Sequence, residues 1–203
     1  MSPAATLEAL RRRAQRCTAC ELYKKATQTV FGEGLPAARI MLIGEQPGER
    51  EDLEGLPFVG PAGQLLDRAL AVTGIDRSHC YVTNAVKHFK WEPRGKRRLH
   101  KTPAQREIDA CRQWLIAELQ AIQPEIIVCL GATAGKAVFG KDFRVSRNRG
   151  RMRLSPLGPR AVATLHPAAI LRITEPGERA QAFNLLVADL QIARKLSLTD
   201  NQG

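Results

Sequence analysis

The chain has 203 residues, of which 44% are hydrophobic, and this length suits one compact domain with a buried core but not two full domains. No apolar run approaches the roughly 20 residues of a membrane-spanning helix and no export signal is evident, so we expect a soluble, cytoplasmic protein, and nothing indicates more than a monomer. The formal net charge of +11 indicates a polyanionic partner, nucleic acid before membrane.

Strand and helix patterns alternate along the chain. Short apolar runs predict four buried strands, at residues 39–44, 81–86, 125–130 and 161–165. Helical patterns lie between and after them, at residues 62–72, 103–121, 133–139 and 177–195, and the tail LSLTDNQG is predicted to be disordered. The alternation predicts a single-domain α/β fold over residues 1–203 with its ordered core at 17–195. We expect a three-layer sandwich in which helices flank a mainly parallel, four-stranded central sheet.

Ligands of parallel α/β sheets bind beyond the carboxyl ends of the strands. Four stretches follow the predicted strands there: GEQPG at 44–48, NAVKH at 84–88, LGATA at 130–134 and HPAAILR at 166–172. Each stretch alone could be simple turn chemistry. Their coincidence on one edge of the sheet predicts the functional site.

Cations are concentrated in two segments. Residues 87–101 contain seven cations and one acid, Glu92, with Phe89 and Trp91 between them, and residues 141–153 contain six more cations against Asp142. The segments could be two solvated basic loops. Two separate clusters in one small domain favour a groove that follows a phosphate backbone.

Five cysteines is an odd number, which disfavours a disulfide framework in a cytosolic chain. Cys17 and Cys20 form a C-x-x-C pair that could be half of a zinc or iron–sulfur site, a redox pair or a chance spacing. Further ligands must come from elsewhere, and Cys129 in an apolar strand is more typical of a core thiol. The spacing alone does not choose among the other candidates, which are Cys80, His88 and Cys111.

Three residues at the predicted edge are candidates for chemistry. Glu45 directly follows a strand, and a carboxylate facing a basic groove suggests a function, whereas Glu49, Glu51 and Glu54 are expected to be solvated. Phe58 in a rigid Gly/Pro loop could stack on a flat ligand or pack in the core. His166, which precedes a proline, could be functional or structural.

The motifs C-x-x-C, GEQPG, GLPFVGPAGQLLD, YVTNAVKH, C-R-x-W-L, LGATA and HPAAIL occur in one order across nearly the whole chain. This set resembles the family-four-like branch of the uracil-DNA glycosylase superfamily. Two features are similar to its UdgX subgroup: Gln46, where ordinary family-four enzymes tend to have alanine, and the inserted basic loop KRRLH that ends in His100.

The resemblance implies a four-iron four-sulfur cluster held by Cys17, Cys20, His88 and Cys111. His88 stands where the relatives have cysteine, and histidine ligates iron in Rieske-type clusters, so His88 is a plausible ligand with Cys80 as the alternative. We expect the cluster to join the N-terminal segment to the loop after the second strand, without a part in the chemistry.

The resemblance also implies a pocket for uracil that is flipped out of single-stranded or duplex DNA. Phe58 would stack on the base, Asn84 would read its edge, Gln46 would line the pocket, and His166 would donate to uracil O2 as charge develops there. Ile170 or Leu171 would fill the gap left in the DNA. The phosphate contacts are assigned to the loop cations Lys96, Arg97, Arg98 and Lys101.

For His100 the subgroup resemblance implies direct attack on C1′ of the sugar, which leaves the protein covalently linked to the abasic DNA after uracil departs. We expect the neighbouring cations to lower the pKa of His100 and keep it neutral, and Glu45 to orient the ring and offset the imidazolium. Two other functions stay open: a turnover glycosylase in which Glu45 or His100 activates water, and an iron–sulfur DNA-binding protein without excision activity.

Overall fold

The computed structural model describes residues 2–199, with side chains described through residue 195. Its main sheet has six strands in the order β1-β3-β2-β6-β8-β7, and a separate hairpin pairs β4 with β5. The four inner strands of the main sheet are parallel, and the short edge strands β1 and β7 are antiparallel. The bounds are β1 Glu33–Gly34, β2 Ile40–Gly44, β3 Cys80–Asn84, β4 Trp91–Arg94, β5 Arg97–His100, β6 Ile126–Leu130, β7 Met152–Leu154 and β8 Arg160–Thr164.

Eight helices accompany the strands in the described part of the chain. Five of them, including the three longest, contribute to the cores on the two faces of the sheet, while the three short helices lie at or near its carboxyl edge. The bounds are α1 Pro3–Ala14, α2 Glu49–Glu54, α3 Pro61–Thr73, α4 Gln105–Ile122, α5 Gly131–Phe139, α6 Val145–Asn148, α7 Pro167–Leu171 and α8 Pro176–Thr199. No helix within residues 2–199 is both long and apolar enough to cross a membrane.

Two hydrophobic cores lie on opposite faces of the sheet, because successive side chains of a strand point to opposite sides. Met41 and Ile43 of β2 pack with α1, α4 and α5, whereas Ile40 and Leu42 pack with α3 and α8. Strands buried on both faces explain the unbroken apolar runs of the sequence. The predicted three-layer α/β sandwich with a mainly parallel sheet is therefore confirmed.

The structure adds details that the sequence patterns did not give. The four inner strands lie within one or two residues of the predicted ones, and two short edge strands extend the sheet to six. Helix α8 continues to Thr199, so the prediction of a disordered tail is wrong for residues 196–199. Residues 200–203, the rest of that tail, lie outside the described residues.

The basic segment after β3 is a hairpin and not the irregular loop that was expected. Strands β4 and β5 pair in register from Trp91 opposite His100 to Arg94 opposite Arg97. Gly95 has a φ of 59°, which the two-residue turns of twisted hairpins require. The pairing places His100 at the base of the hairpin, next to the body of the protein.

Candidate active site

A small cavity of about 90 Å³ lies at the carboxyl edge of the sheet. Its walls come from the segments that follow β2, β3, β5 and β8, as expected for a parallel sheet. Five of the residues predicted from sequence meet there: Gln46, Phe58, Asn84, His100 and His166. The lining residues are Gln46, Gly48, Glu51, Phe58, Ala62, Asn84, His100, His166 and Ala168.

Phe58 forms one wall of the cavity and is held in a strained conformation. Its φ is 59°, a left-handed value that is rare for a large side chain. A Cβ on Gly44 would collide with the Phe58 ring and with the Asn84 Oδ1, so glycine at position 44 makes room for both. Strain of this kind is typical of functional sites, where the surrounding contacts hold it in place.

Glu51 supplies one of those contacts. Its Oε1 accepts a hydrogen bond from the Gly60 amide at 2.7 Å and its Oε2 accepts one from the Gly48 amide at 3.0 Å. The expectation that Glu51 is a solvated charge is therefore wrong: this carboxylate is buried and ties the loop carrying Phe58 to the loop after β2. Glu49 and Glu54 are exposed, as expected.

Two polar atoms in the cavity have no hydrogen-bond partner among the residues that the structure describes. They are Asn84 Oδ1 and His166 Nε2, both buried. Buried polar atoms are almost always paired, so an unpaired couple in one cavity indicates a ligand that would pair with them. The Phe58 and His166 rings are stacked with centroids 6.0 Å apart, which gives the cavity a flat aromatic side.

The protonation state of His166 follows from its contacts. Its Nδ1 accepts a hydrogen bond from the Ala168 amide at 3.1 Å, so in the neutral ring the proton lies on Nε2. Burial, with smaller effects of Arg172 and His100, lowers the pKa of His166 to about 4. The side chain therefore presents a neutral N–H donor to the cavity at physiological pH.

His100 faces Glu45 across the mouth of the cavity. His100 Nε2 lies 3.3 Å from Glu45 Oε1, and the other carboxylate oxygen accepts a 2.5 Å hydrogen bond from the Thr133 hydroxyl. Thr133 belongs to the LGATA stretch after β6, whose specific role the sequence did not give. The structure thus brings together the predicted pair of His100 and Glu45 and adds the residue that holds the carboxylate.

The pKa of His100 is lowered, but not by the predicted cause. Burial is the main reason, Glu45 opposes it, and the cation that lowers the pKa is Arg172. The hairpin cations point elsewhere: Arg98 binds carboxylates of α2, and Lys101 Nζ pairs with Glu92 at 2.9 Å. The prediction that the pKa of His100 is lowered is therefore right in direction, but the KRRLH cations are not its cause.

Gln46 lines the cavity, but its amide is occupied by the base of the hairpin. Its Nε2 donates to the carbonyls of Lys90 and Lys101 at 3.2 and 3.1 Å, and its Oε1 accepts from the Lys90 amide at 3.0 Å. The amide therefore clamps both chains of the hairpin next to His100. Gln46 therefore lines the cavity as predicted, and a polar contact between its amide and uracil would require these bonds to break.

Arg98 anchors the outer part of the hairpin to α2. Its Nη1 donates to Asp52 Oδ2 at 2.6 Å, and its Nε donates to Glu49 Oε1 at 3.1 Å. The guanidinium also lies over the rings of Phe89 and Trp91. Because these contacts leave only 17% of the side chain exposed, the assignment of Arg98 to phosphate binding is replaced by an anchoring role.

The other residues predicted to contact DNA differ in exposure. Lys96 and Arg97 at the hairpin tip are exposed and form no ion pair within residues 2–199, and Lys101 is partly exposed. Leu171 is 40% exposed, whereas Ile170 is 1% exposed in the core beneath α7. Of the two candidates for the wedge between bases, only Leu171 is accessible, and the assignment of Ile170 is wrong.

Three cysteines lie on one side of the molecule. Cys17 and Cys20 pack against the core that contains Cys111. Trp114 Nε1 donates to Cys17 Sγ at 3.1 Å, and the Lys87 amide donates to Cys111 Sγ at 3.2 Å. N–H donors to sulfur are a common feature of iron–sulfur sites. Within residues 2–199, however, no three His, Cys, Asp or Glu side chains converge closely enough to hold a single metal ion.

The structure also shows where the two candidates for the fourth cluster ligand, Cys80 and His88, lie. Cys80 begins β3 at the opposite end from Lys87 and packs in the other core, with its thiol directed at the Asp76 carbonyl. It is therefore remote from Cys17, Cys20 and Cys111, which lie with the first core. His88 is buried, with Nε2 hydrogen-bonded to the Thr29 hydroxyl at 2.8 Å, which leaves Nδ1 as its free nitrogen. Cys129 is a core thiol, as expected.

A buried ion pair beneath the pocket was not predicted. Lys87 Nζ donates to Glu118 Oε2 at 2.6 Å and to the Asn84 carbonyl at 2.8 Å, and both charged side chains are fully buried. Glu118 also accepts from the Tyr81 hydroxyl and the Gly32 amide. In the sequence Lys87 is one of seven cations in a basic run, and its partner Glu118 lies 31 residues away. The one sequence signal for this ion pair is that Glu118, a charged residue, occupies the apolar face of the helix pattern that became α4.

The mainly parallel sheet, with a small cavity lined by aromatic and polar side chains at its carboxyl edge, places the chain in the class of α/β proteins whose site lies beyond the strand ends. Residues 31–191 match the model of the uracil DNA glycosylase superfamily, and the chain belongs to this superfamily.

Relatives of the chain include three proteins named Type-4 uracil-DNA glycosylase. That of Thermotoga maritima is 38% identical, over 87% of this chain and 94% of its own length. That of Archaeoglobus fulgidus is 36% identical, over 82% and 83%, and that of Sulfurisphaera tokodaii is 35% identical, over 96% and 86%.

Proposed function

We propose that the protein excises uracil from DNA and becomes covalently attached to the resulting abasic site through His100. The family and the names of its relatives support the excision of uracil. The observation that carries the covalent step is the placement of His100 at the cavity mouth, next to Glu45 and on a hairpin that Gln46 and Arg98 hold in place.

The cavity suits uracil among the DNA bases. Its two unpaired atoms are Asn84 Oδ1, which can accept from the N3–H of uracil, and His166 Nε2, whose hydrogen can be donated to O2. The Nδ2 group of the same Asn84 amide can donate to O4. Cytosine presents an amino donor where uracil has the O4 acceptor, so the same amide would reject it. Phe58 would lie against the face of the base.

The bond changes follow from these positions. As the bond between C1′ and N1 breaks, its electron pair moves into uracil and the charge on O2 is stabilised by the His166 N–H. A lone pair of the neutral His100 imidazole then forms the new bond to C1′, and the ring becomes an imidazolium. Glu45, held by Thr133, offsets that positive charge and the charge that develops on the sugar. No base remains to expel the imidazolium, so the link persists.

A turnover glycosylase is the second candidate, because a histidine and a carboxylate 3.3 Å apart could also activate water. Incubation with a uracil-containing single strand, followed by electrophoresis in detergent, separates the two. A denaturant-resistant adduct in one-to-one yield supports the covalent function, and abasic DNA in excess over protein supports turnover. Intact uracil DNA would leave the third function, DNA binding without excision, and overturn the proposal.

We further propose that Cys17, Cys20, Cys111 and His88 hold a four-iron four-sulfur cluster that joins the N-terminal segment to the loop after β3. The shared packing of the three thiols and the N–H donors to two of them support this set. The core of a four-iron four-sulfur cluster has eight atoms, so its protein ligands lie farther apart than the ligands of a single metal ion. The wider spacing of these four side chains is compatible with a cluster for that reason. Bound, the cluster would act as a structural cross-link, and no step of the reaction depends on it.

Iron content tests the ligand set. In anaerobically purified protein we expect iron and sulfide with visible absorbance, lost in Cys111→Ser and lowered in His88→Ser. Cys80→Ser is the matched control and should retain all the iron, because that thiol lies in the opposite core. Bound zinc in the parent protein, or loss of iron in the control alone, would contradict the assignment.

A further inference from the structure

The second basic segment, residues 141–153, takes no part in the site described so far. Of its six cations, Arg149 alone has an acidic partner in the described part of the chain, which is Asp189 at 2.8 Å. The other five form no ion pair with any residue that the structure describes, and all five are exposed. They are Lys141, Arg144, Arg147, Arg151 and Arg153, and Asp142 is the single acid among them.

The segment is held against the body of the protein by three contacts. The Phe143 ring stacks on Phe139 with centroids 5.1 Å apart and fills the space left by Gly135, where a Cβ would collide with it. Arg149 is fixed by Asp189, and the Gly150 amide donates to the Ala163 carbonyl of β8 at 3.0 Å. The exposed arginines are therefore carried by a backbone with fixed attachments and not by a free loop.

These contacts also locate the segment relative to the cavity. Ala163 precedes His166 by three residues on the chain, so Gly150 lies on the order of 10 Å from the cavity along the strand direction. That distance is roughly three base steps along the axis of stacked B-DNA, and fewer in an extended single strand. In the order of the sheet, β8 and β7 lie on one side of β2 and β6, while the hairpin follows β3 on the other side.

We propose that Arg144, Arg147 and Arg151, here called the α6 surface, bind phosphates of the DNA strand on the side of the target nucleotide opposite the hairpin. The proposal rests on the proposed function and extends it, because it assigns the strand a path from the hairpin tip across the cavity to α6. Nucleic acid is favoured over other polyanions since the unpaired arginines lie on the same edge of the sheet as the base-sized cavity. The contacts are with phosphate and carry no sequence preference.

Salt dependence of binding measures such contacts directly. Each phosphate contact with a single strand contributes about 0.7 to the slope of log affinity against log salt concentration. For Arg147→Ala/Arg151→Ala we expect the slope to fall by about 1.4 and the affinity at low salt to fall roughly tenfold. The probe is a uracil-free thymidine strand, so the result does not depend on excision.

The control is Arg77→Ala/Lys195→Ala, which removes two cations from the opposite edge of the sheet, one of them, Arg77, paired with Asp67 at 3.0 Å. Arg77 precedes β3, and Lys195 follows Arg194 near the start of that strand. The control should keep the slope of the parent protein. An equal fall in both double variants would mean that only net charge matters and would overturn the proposal, as would an unchanged slope in the α6 variant.

The path of the strand is tested with uracil near the 5′ end, at the centre or near the 3′ end of a short single strand. The α6 variant should raise the DNA concentration for half-maximal reaction with two of these probes and not with the one that lacks nucleotides on the α6 side. Its rate at saturating DNA should equal that of the parent. If the parent excises no uracil, the proposed function fails, while the thymidine-strand comparison still decides whether the α6 surface binds DNA.

Discussion

At the scale of single residues, the reactivity of His100 depends on its being uncharged. Burial and Arg172 lower its pKa, Glu45 raises it, and Phe89 packs near it with ring centroids 6.0 Å apart. The net shift is downward, so the neutral nucleophile persists to lower pH than it would in water. His166 is neutral for a similar reason and keeps its N–H directed into the cavity.

The pH dependence of the reaction follows from these shifts. A nucleophile must be deprotonated, so we expect the single-turnover rate of adduct formation to stay constant as the pH falls from 8 through the ordinary histidine value of about 6.5. The rate should decline only at more acidic pH, where His100 becomes protonated. A midpoint at or above 6.5 would contradict a lowered pKa of the nucleophile.

The residues of the cavity could be named from the sequence because motifs at strand ends carry them. Asn84 and His166 follow that rule, whereas Phe58 was singled out by its Gly/Pro loop between α2 and α3, and the three side chains meet in one cavity. The roles of Gln46 and Arg98 could not be predicted, since their partners lie 44 to 55 and 46 residues away along the chain. Arg97 and Arg98 are adjacent in one run of cations, and only the tertiary structure shows that Arg98 faces a carboxylate while Arg97 faces solvent.

At the scale of elements, the β4–β5 hairpin is the part that carries His100 to the cavity. It is fastened at its base by Gln46 and farther out by Arg98, which binds the fully buried carboxylate of Asp52. A hairpin of two strands is marginally stable alone, so these side chains determine where His100 lies. The sequence indicated the cations of the hairpin but not its pairing, because its four-residue strands lack an apolar alternation.

Arg98→Ala should therefore loosen the hairpin. Loss of a partner from a fully buried ion pair costs about 3–5 kcal/mol, and here we expect about 2 kcal/mol because Thr27 still donates to Asp52. Urea unfolding measures this loss, and the single-turnover rate of adduct formation should fall as well. Arg94→Ala, on the exposed face of the same hairpin, is the control and should stay within about 0.5 kcal/mol of the parent. Equal stability of the two variants would refute the anchoring role.

At the scale of the whole molecule, one buried network joins the core to the site. Lys87 and Glu118 link α4, β3 and the segment before β1, and the same ammonium holds the backbone of Asn84. The sandwich itself could be predicted, since strands buried on both faces leave clear apolar runs. The edge strands could not, because two or three residues carry no periodicity.

A double-mutant cycle tests this network. Lys87→Met leaves a buried carboxylate without its cation and should lower the free energy of unfolding by about 3–5 kcal/mol. Adding Glu118→Gln removes the charge but keeps an oxygen that can accept from Tyr81 and Gly32, so the double variant should be more stable than Lys87→Met alone. Additive losses would show that the two side chains do not act as a pair.

The covalent link through His100 is the central claim, and peptide mass spectrometry of the adduct tests it most directly. The protein is reacted with a uracil-containing single strand, the DNA and protein are digested, and the modified peptide is fragmented. The account predicts the added mass of an abasic deoxyribose on His100, with free uracil released in equal amount. Attachment at another residue, or uracil release without any modified peptide, would contradict it.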